Sequence, residues 1–191
     1  MDFQEIYCKH KQWVDTAGKS GEQASLDETD MHGISLAPPI LEQGYFSACD
    51  FNSIHFSNVD FYQSEFYSCN FKQAVFENCD FRKTTLVYSD FSEAKFINCK
   101  FAHTDAYQSI FCESTFKECS FVGFNLMEAD MRKSTFDHVD FDRAYIDKTK
   151  MEKAVFYSPA NTNKINHISI VLENEMVLAG VDAVNWISWQ S

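Results

Sequence analysis

Residues 46–81 read FSACD-FNSIH-FSNVD-FYQSE-FYSCN-FKQAV-FENCD-F, with phenylalanine at every fifth position. The same spacing of apolar residues continues outward, without a slip, from Leu26 to Phe156. A period of five fits neither an α-helix, which repeats every 3.6 residues, nor a plain strand, which repeats every two. Most of the 191-residue chain is therefore built from one short structural repeat.

Each repeat has a second restricted position, two residues before the periodic one. We call the periodic residue the centre and the earlier one the small site. Small sites hold mostly Ala, Cys, Ser or Thr, and Phe124 is the one phenylalanine among them. Residues two apart in an extended segment point to the same side. The centre and the small site therefore both face inward, and the last two residues of each repeat turn the chain.

The residues around the centres resemble the pentapeptide-repeat family. In that family a small residue is followed by Asp or Asn, then by Leu or Phe, and then by two variable residues. Cys49-Asp50-Phe51, Cys69-Asn70-Phe71, Cys79-Asp80-Phe81, Ser89-Asp90-Phe91 and Val139-Asp140-Phe141 match this pattern closely. The resemblance implies an all-β solenoid, a right-handed quadrilateral β-helix with four pentapeptides per coil. Residue n then stacks on residue n+20.

Both ends of the chain depart from the repeat and predict caps. Residues 1–22 are expected to form an N-terminal capping helix and linker, residues 23–158 the β-helix, and residues 159–191 a C-terminal cap. Phe3, Ile6, His10 and Trp13 have helical spacing, typical of an amphipathic helix that covers an open coil. The tail is also a candidate dimerisation segment, since members of the family often pair through their C-terminal ends. The candidate cap and dimer residues are Met176, Leu178, Trp186 and Trp189.

The predicted core consists of phenylalanine rings stacked along the axis of the solenoid. Its main members are Phe51, Phe61, Phe71, Phe81, Phe91, Phe101, Phe111 and Phe121. Five of the seven cysteines occupy small sites, and we expect them to be free, buried packing residues. Free thiols favour a reducing compartment.

Because the axis is filled, function is expected on the outward positions. One side of the coil contains the centres Leu26, Phe46, Phe66, Leu86, Ala106, Leu126 and Ile146, and we call it the tyrosine face. The candidate protein-binding residues on this face are Tyr45, Tyr67, Val87, Tyr88, Tyr107, Met127 and Tyr145. Clustered aromatic side chains mark interaction sites. The alternative is that they only stabilise a β surface by stacking between coils.

The chain is acidic, with a net charge of −12, and its aspartates recur in vertical columns. The candidate acidic columns contain Asp50, Asp90 and Asp130 on one side, and Asp60, Asp80 and Asp140 on another. One interpretation is a surface that mimics the phosphates of DNA. The other is that Asp and Asn hydrogen-bond the backbone at turns.

The sequence contains no catalytic constellation, metal-ligand spacing or glycine-rich phosphate loop, so we predict a protein that is not an enzyme and needs no cofactor. The negative charge argues against direct nucleic-acid binding. No apolar stretch is long enough to span a membrane, and the first residues lack the features of a secretory signal. The expected location is the cytoplasm, with export by a signal-free route left open.

The resemblance implies a non-catalytic, protein-binding rod. Some bacterial pentapeptide-repeat proteins protect gyrase from quinolones or peptide toxins, so the best specific hypothesis is an acidic DNA mimic that binds or protects a type II topoisomerase. The alternatives are an immunity or toxin-neutralising scaffold that uses the tyrosine face, and a secreted effector scaffold. The expected partner is a protein in each case, and a homodimer through the C-terminal segment is a further prediction.

Overall fold

The computed structural model describes residues 3–32 and 41–189 and shows a β-helix with a short helix at each end. The helices are α1 (Phe3–Asp15) and α2 (Gly180–Trp189), with 3-10 turns at Thr162–Lys164 and Glu173–Glu175. The strands are β1 (Ser25–Asp27), β2 (Tyr45–Ser47), β3 (His55–Ser57), β4 (Glu65–Tyr67), β5 (Val75–Glu77), β6 (Lys95–Ile97), β7 (Thr115–Lys117), β8 (Thr135–Asp137), β9 (Tyr145–Lys150), β10 (Val155–Tyr157), β11 (His167–Val171) and β12 (Val177–Ala179). The predicted centre Leu36 lies outside the described residues.

Strands of successive coils pair in parallel with a register of twenty residues. Phe46 pairs with Phe66 on one side of the coil, and Phe96 pairs with Phe116 on another. The two remaining sides are joined by single bridges such as Asp50 to Asn70 and Asp60 to Asp80. This register confirms four pentapeptides per coil, and the fold is the expected quadrilateral β-helix.

The phenylalanine centres form columns of stacked rings inside the coil. The ring centroids of Phe51 and Phe71 are 4.7 Å apart, and those of Phe71 and Phe91 are 4.8 Å apart, with interplanar angles of 5° and 2°. All eight predicted core phenylalanines are buried. Each buried ring contributes roughly 1.5–3 kcal/mol, so these columns supply much of the hydrophobic stabilisation.

The small sites are chemically selected as well as limited in size. Cys79 Sγ donates to the carbonyl oxygen of Phe56 at 3.5 Å, and Thr84 Oγ1 donates to that of Phe61 at 2.7 Å. In each pair the acceptor is the centre that lies 23 residues earlier in the chain. Such side chains therefore satisfy their own buried polar groups while linking two coils, whereas Ser114 and Ser134 donate to the centre three residues earlier in the same coil.

Each pentapeptide turns at a residue with left-handed backbone geometry, two positions after its centre. Every described residue two positions after a centre, from Glu28 to Ser158, has φ between 47° and 63°. We call this position the corner. It holds residues such as Gln73, Lys133 and Tyr88, for which this region is normally unfavourable. The backbone N–H of each of these corner residues donates to a carbonyl oxygen of the next coil, and these hydrogen bonds offset the cost.

Helix α1 covers the first coil, as the amphipathic pattern predicts. His10 is buried and links the helix to the first coil at two points: its Nδ1 accepts from the Ala24 backbone N–H at 3.0 Å, and its Nε2 lies 2.9 Å from the Glu42 carbonyl oxygen. These contacts require a neutral imidazole, with Nε2 as the donor. Phe3 and Ile6 pack against the core on the same side.

The C-terminal segment covers the last coil. Strand β11 lies parallel to β9, and β12 turns back antiparallel to β11. In α2, Ala183 and Ile187 are buried, and the Trp186 ring lies 6.0 Å from that of Phe156. Both terminal caps of the predicted fold are thus present. The side chain of Trp189 lies outside the described residues.

Candidate protein-binding surface

The tyrosine face comprises the pentapeptides 24–28, 44–48, 64–68, 84–88, 104–108, 124–128 and 144–148, one above another. Within it the rings of Tyr45 and Tyr67 lie 5.8 Å apart, and those of Tyr88 and Tyr107 lie 6.2 Å apart. The ring of Tyr145 stacks on His167 of the C-terminal cap. The structure therefore brings the predicted tyrosines onto one side, and the cap extends it.

Exposure differs among the candidate residues of this face. Tyr88 is 54% exposed and Tyr45 is 37% exposed. The other five, Tyr67, Val87, Tyr107, Met127 and Tyr145, are half-buried. Two tyrosine rings therefore protrude from a surface that is otherwise nearly flat. A flat surface of a partner protein could pack against it.

Two tyrosine hydroxyl groups of the face donate to carboxylates. Tyr67 Oη donates to Glu65 Oε2 at 3.0 Å, and Tyr107 Oη donates to Glu128 Oε2 at 3.1 Å. Burial and the Glu65 carboxylate raise the pKa of Tyr67, and the hydrogen bond to Glu128 raises the pKa of Tyr107. Both phenols therefore stay protonated at neutral pH and hold their rings in fixed positions.

The aspartates of the acidic columns form turns. Asp50 Oδ1 accepts from the Asn52 backbone N–H at 3.0 Å, and Asp60 Oδ1 accepts from that of Tyr62 at 2.8 Å. The same bond to the residue two positions ahead recurs at Asp80, Asp90, Asp130 and Asp140. The six carboxylates thus have the turn-forming role that was one of the two interpretations.

Several of these carboxylates are also paired with bases. Asp80 lies 2.6 Å from the guanidinium of Arg82, and Asp130 lies 2.6 Å from that of Arg132. Lys72 reaches Asp90 at 3.1 Å. The charge that the columns present to a partner is therefore partly neutralised.

The net negative charge of the rod is concentrated on the tyrosine face. This face carries six acidic residues and one basic residue, Lys148, a net charge of −5. The whole repeat region, residues 24–158, carries 21 acidic and 12 basic residues, a net charge of −9. The other three sides together therefore contribute only −4, and the aromatic and acidic surfaces coincide.

An open groove of about 370 Å³ lies at one edge of the tyrosine face. His103, Asp105, Gly123, Asn125, Met127 and Tyr145 line it. Gly123 is the one glycine among the described corners, and a Cβ added there would lie 3.0 Å from His103 Nδ1. Of these six lining residues, Met127 and Tyr145 were among the protein-binding candidates predicted from the sequence, and the other four were not. A glycine at a corner position, which the sequence has at Gly33 and Gly123, is the signal that could have pointed to the groove.

No cluster of three or more His, Cys, Asp or Glu side chains within residues 3–32 and 41–189 has an arrangement that could hold a metal ion. Neither helix in that part of the chain combines the length and the apolar character needed to cross a membrane.

Comparison with known families agrees with the coil geometry. A pentapeptide repeat region matches residues 49–120, and a set of eight pentapeptide repeats matches residues 113–146. The chain belongs to the pentapeptide-repeat family. None of the curated proteins matches it in sequence.

Solved structures of other pentapeptide-repeat proteins resemble this one at low sequence identity. QnrB1, a plasmid-mediated fluoroquinolone resistance protein, is 15% identical over 80% of this chain and 92% of its own, with a TM-score of 0.40. Rfr23 from the cyanobacterium Cyanothece 51142 is 11% identical over 72% of this chain and 84% of its own, with a TM-score of 0.39. HetL, involved in heterocyst differentiation regulation in Nostoc sp. strain PCC 7120, is 10% identical over 90% of this chain and 98% of its own, with a TM-score of 0.27.

Proposed function

We propose that this pentapeptide-repeat protein is a non-catalytic rod that binds a basic protein surface through its tyrosine face. The observation that carries the proposal is the coincidence of aromatic and acidic residues. Five of the eight tyrosines and more than half of the net negative charge of the repeats share one side. Tyrosine rings supply contact area at protein interfaces, and the charge selects a partner of opposite sign.

The same charge distribution argues against direct binding of nucleic acid. Phosphate groups need clustered Lys and Arg side chains, and the tyrosine face carries only Lys148. Lys148 itself lies 3.5 Å from Glu128, which offsets its charge. A protein that normally binds nucleic acid is a suitable partner for the tyrosine face, because its nucleic-acid-binding surface is basic.

A type II topoisomerase such as gyrase is the first specific partner that we propose, with the rod acting as a DNA mimic. Its DNA-binding surface is basic, and protection of gyrase occurs among members of this family. A role in antibiotic resistance would follow from that interaction. In this protein the mimicry would depend on the tyrosine face, because the aspartate columns are engaged in turns and ion pairs.

The second candidate is an immunity or toxin-neutralising scaffold that uses the same surface. The exposed ring of Tyr88 and the half-buried ring of Tyr107 favour it, because adjacent rings supply a contact without any likeness to DNA. A secreted effector scaffold is the third candidate. We also propose a cytoplasmic location, since five buried cysteines are free thiols.

A gyrase supercoiling assay, with and without a quinolone, tests the first partner. We expect the protein at micromolar concentration to alter supercoiling or to restore activity in the presence of the drug. The double variant Tyr67→Lys, Tyr107→Lys should lose this effect and keep its thermal stability, because each ammonium can pair with the carboxylate that the tyrosine hydroxyl contacts. Tyr157→Lys is the matched control, because Tyr157 is 53% exposed on a different side of the coil. An unaltered assay with wild-type protein would exclude gyrase and favour the scaffold.

We further propose that the C-terminal cap forms a homodimer. Within the described part of the chain, strand β12 is the last strand of its sheet and pairs with β11 alone, which leaves its other edge open. Around it Met176, Val177 and Val181 are 53%, 58% and 74% exposed, whereas Leu178 packs against the core. Light scattering should give a dimer mass for the wild type and a monomer mass for Val177→Lys. A monomeric wild type would contradict the proposal.

A further inference from the structure

The groove lies beside Gly123, the one glycine among the described corners. Gly123 occupies a corner with φ of 63°, where neighbouring coils place His103 and Arg143. Because glycine has no side chain, the column of corner side chains is interrupted there. Arg143 does not line the groove, and its Nε lies 3.2 Å from an oxygen of Asp142.

A carboxylate is fixed in the wall of this groove. Asp105 Oδ1 accepts from Asn125 Nδ2 at 2.8 Å and from the Tyr107 backbone N–H at 3.1 Å. Among the described residues no basic side chain forms an ion pair with Asp105, in contrast to Asp80 and Asp130. The carboxylate is therefore held in one orientation and its charge is not balanced by the protein.

The remaining walls are flat or apolar. The imidazole of His103, the thioether of Met127 and the ring of Tyr145 line the groove. Tyr145 is supported from the cap, because its ring stacks on His167 at 5.8 Å with an interplanar angle of 21°. The groove thus combines a fixed carboxylate with aromatic surfaces.

This combination is what a guanidinium group requires. Arginine is planar and permanently charged, donates hydrogen bonds to a carboxylate and stacks on aromatic rings. Its aliphatic stem can lie along an apolar side chain such as Met127. A lysine ammonium has the same charge but no plane to stack, so the groove should discriminate between the two.

We propose that the groove is a socket for one arginine side chain of the basic partner. The inference rests on the proposed function, because the arginine belongs to the protein that covers the tyrosine face. It places the most specific contact of that interface between the corner Gly123 and the carboxylate of Asp105. The socket exists in the isolated protein, so its binding is measurable without the partner.

The test uses N-acetyl-L-arginine amide as the probe and the ¹⁵N-labelled full-length protein. Titration into the millimolar range should shift the backbone amide signals of Gly123 and Asn125. N-acetyl-L-lysine amide, which carries the same charge, should bind at least about five-fold more weakly, because it forms no stacked contact. Equal shifts with both probes, or shifts spread over all acidic columns, would overturn the proposal.

Two variants locate the binding. Gly123→Asn fills the groove and suits the backbone, since Asn58, Asn78 and Asn98 occupy equivalent corners. Asp105→Asn keeps the acceptor oxygen and removes the charge. Both should abolish the probe-induced shifts, and Gln63→Asn, at a corner of the same column, should leave them unchanged.

Unchanged binding in Asp105→Asn would refute the socket even if Gly123→Asn failed to fold. The test of the socket can fail or succeed independently of the test of partner binding. A lost socket with partner binding retained would leave the tyrosine face as the contact surface, whereas a functional socket on a rod that binds no partner would refute the proposed function alone.

Discussion

The ring of Phe124 stacks on the ring of Phe101, with 4.7 Å between centroids and an interplanar angle of 10°. By the register of twenty, Phe121 would be the residue that stacks there. Instead the ring of Phe121 meets that of Phe101 edge-on, at 84°. The small-site residue Phe124 thus takes the stacking position that the centre Phe121 would otherwise occupy. Phe124 lies one coil after Ala106, an unusually small centre.

Phe124→Ala should lower the free energy of unfolding by about 3–5 kcal/mol, the usual cost of deleting a buried phenylalanine ring. Urea denaturation of the two proteins measures this difference. Combining it with Ala106→Phe should recover part of the loss, because the new ring restores core volume on the same side. A loss below about 1 kcal/mol in the single variant would contradict the packing.

The left-handed corner predicts an unusual dependence on side-chain shape. Glu118 has φ of 54°, and its side chain is exposed, so Glu118→Val tests backbone conformation with little change in packing. A β-branched residue there should destabilise the coil by about 1–2 kcal/mol. Lys117→Val, one position earlier in strand β7, is the control and should be nearly neutral. Equal melting temperatures for the two variants would contradict the corner geometry.

Protonation of His10 should detach α1 from the first coil. Burial lowers the pKa of His10 below its ordinary value of 6.5, so the unfolded chain takes up the proton more readily than the folded protein. The stabilisation is therefore complete above pH 6.5 and declines as the pH falls below it, by at most about 1.4 kcal/mol per pH unit. Amide exchange at Ala24, which donates to His10, reports the opening.

The control for this pH dependence is His10→Gln, which has no titratable group at this position. Its loss of stability between pH 7.5 and pH 5 should be smaller than that of the wild type. His32 titrates with the opposite sign, because the hydrogen bond with Asp30 raises its pKa. Identical pH profiles for the wild type and His10→Gln would show that another group controls the cap.

Thiol reactivity should separate the seven cysteines into classes. Cys8 is exposed on α1 and should react quickly with an aromatic disulfide reagent. Burial raises the pKa of the Cys112 thiol to about 11, so its reaction should be slow. The five buried cysteines should react only on unfolding. One rapid thiol per chain, lost in Cys8→Ser, is expected, and two or more would contradict the burial.

The period of five was sufficient to predict the buried phenylalanines, the departure of both ends from that period predicted the caps, and the resemblance to the pentapeptide-repeat family supplied the register of twenty. The period was sufficient because the centre and the small site are selected at fixed intervals over the whole repeat region. The left-handed corners were not predictable, since residues such as Gln73 and Lys133 do not favour that conformation and adopt it only within the coil. Tertiary hydrogen bonds, rather than local preference, decide the geometry there.

On the candidate surface, the positions of the tyrosines were predictable from the sequence, but the groove was not. Stacking at intervals of twenty, which the family resemblance implied, places Tyr67 and Tyr107 on one side. The groove depends on which corner side chains project between coils, and on the cap that supports Tyr145 through His167. The contact of Tyr145 with His167 joins the repeat region to the cap, which does not share the period of five.

Site-specific photo-crosslinking in the producing cells tests the contact surface most directly. The photoreactive residue p-benzoylphenylalanine would replace Tyr67, Tyr88 or Tyr107 in turn, with Tyr62 and Tyr157 on other sides as controls. We predict that the three positions of the tyrosine face link the same protein and that the two control positions do not. Links to that protein from Tyr62 and Tyr157, with none from the tyrosine face, would contradict the account.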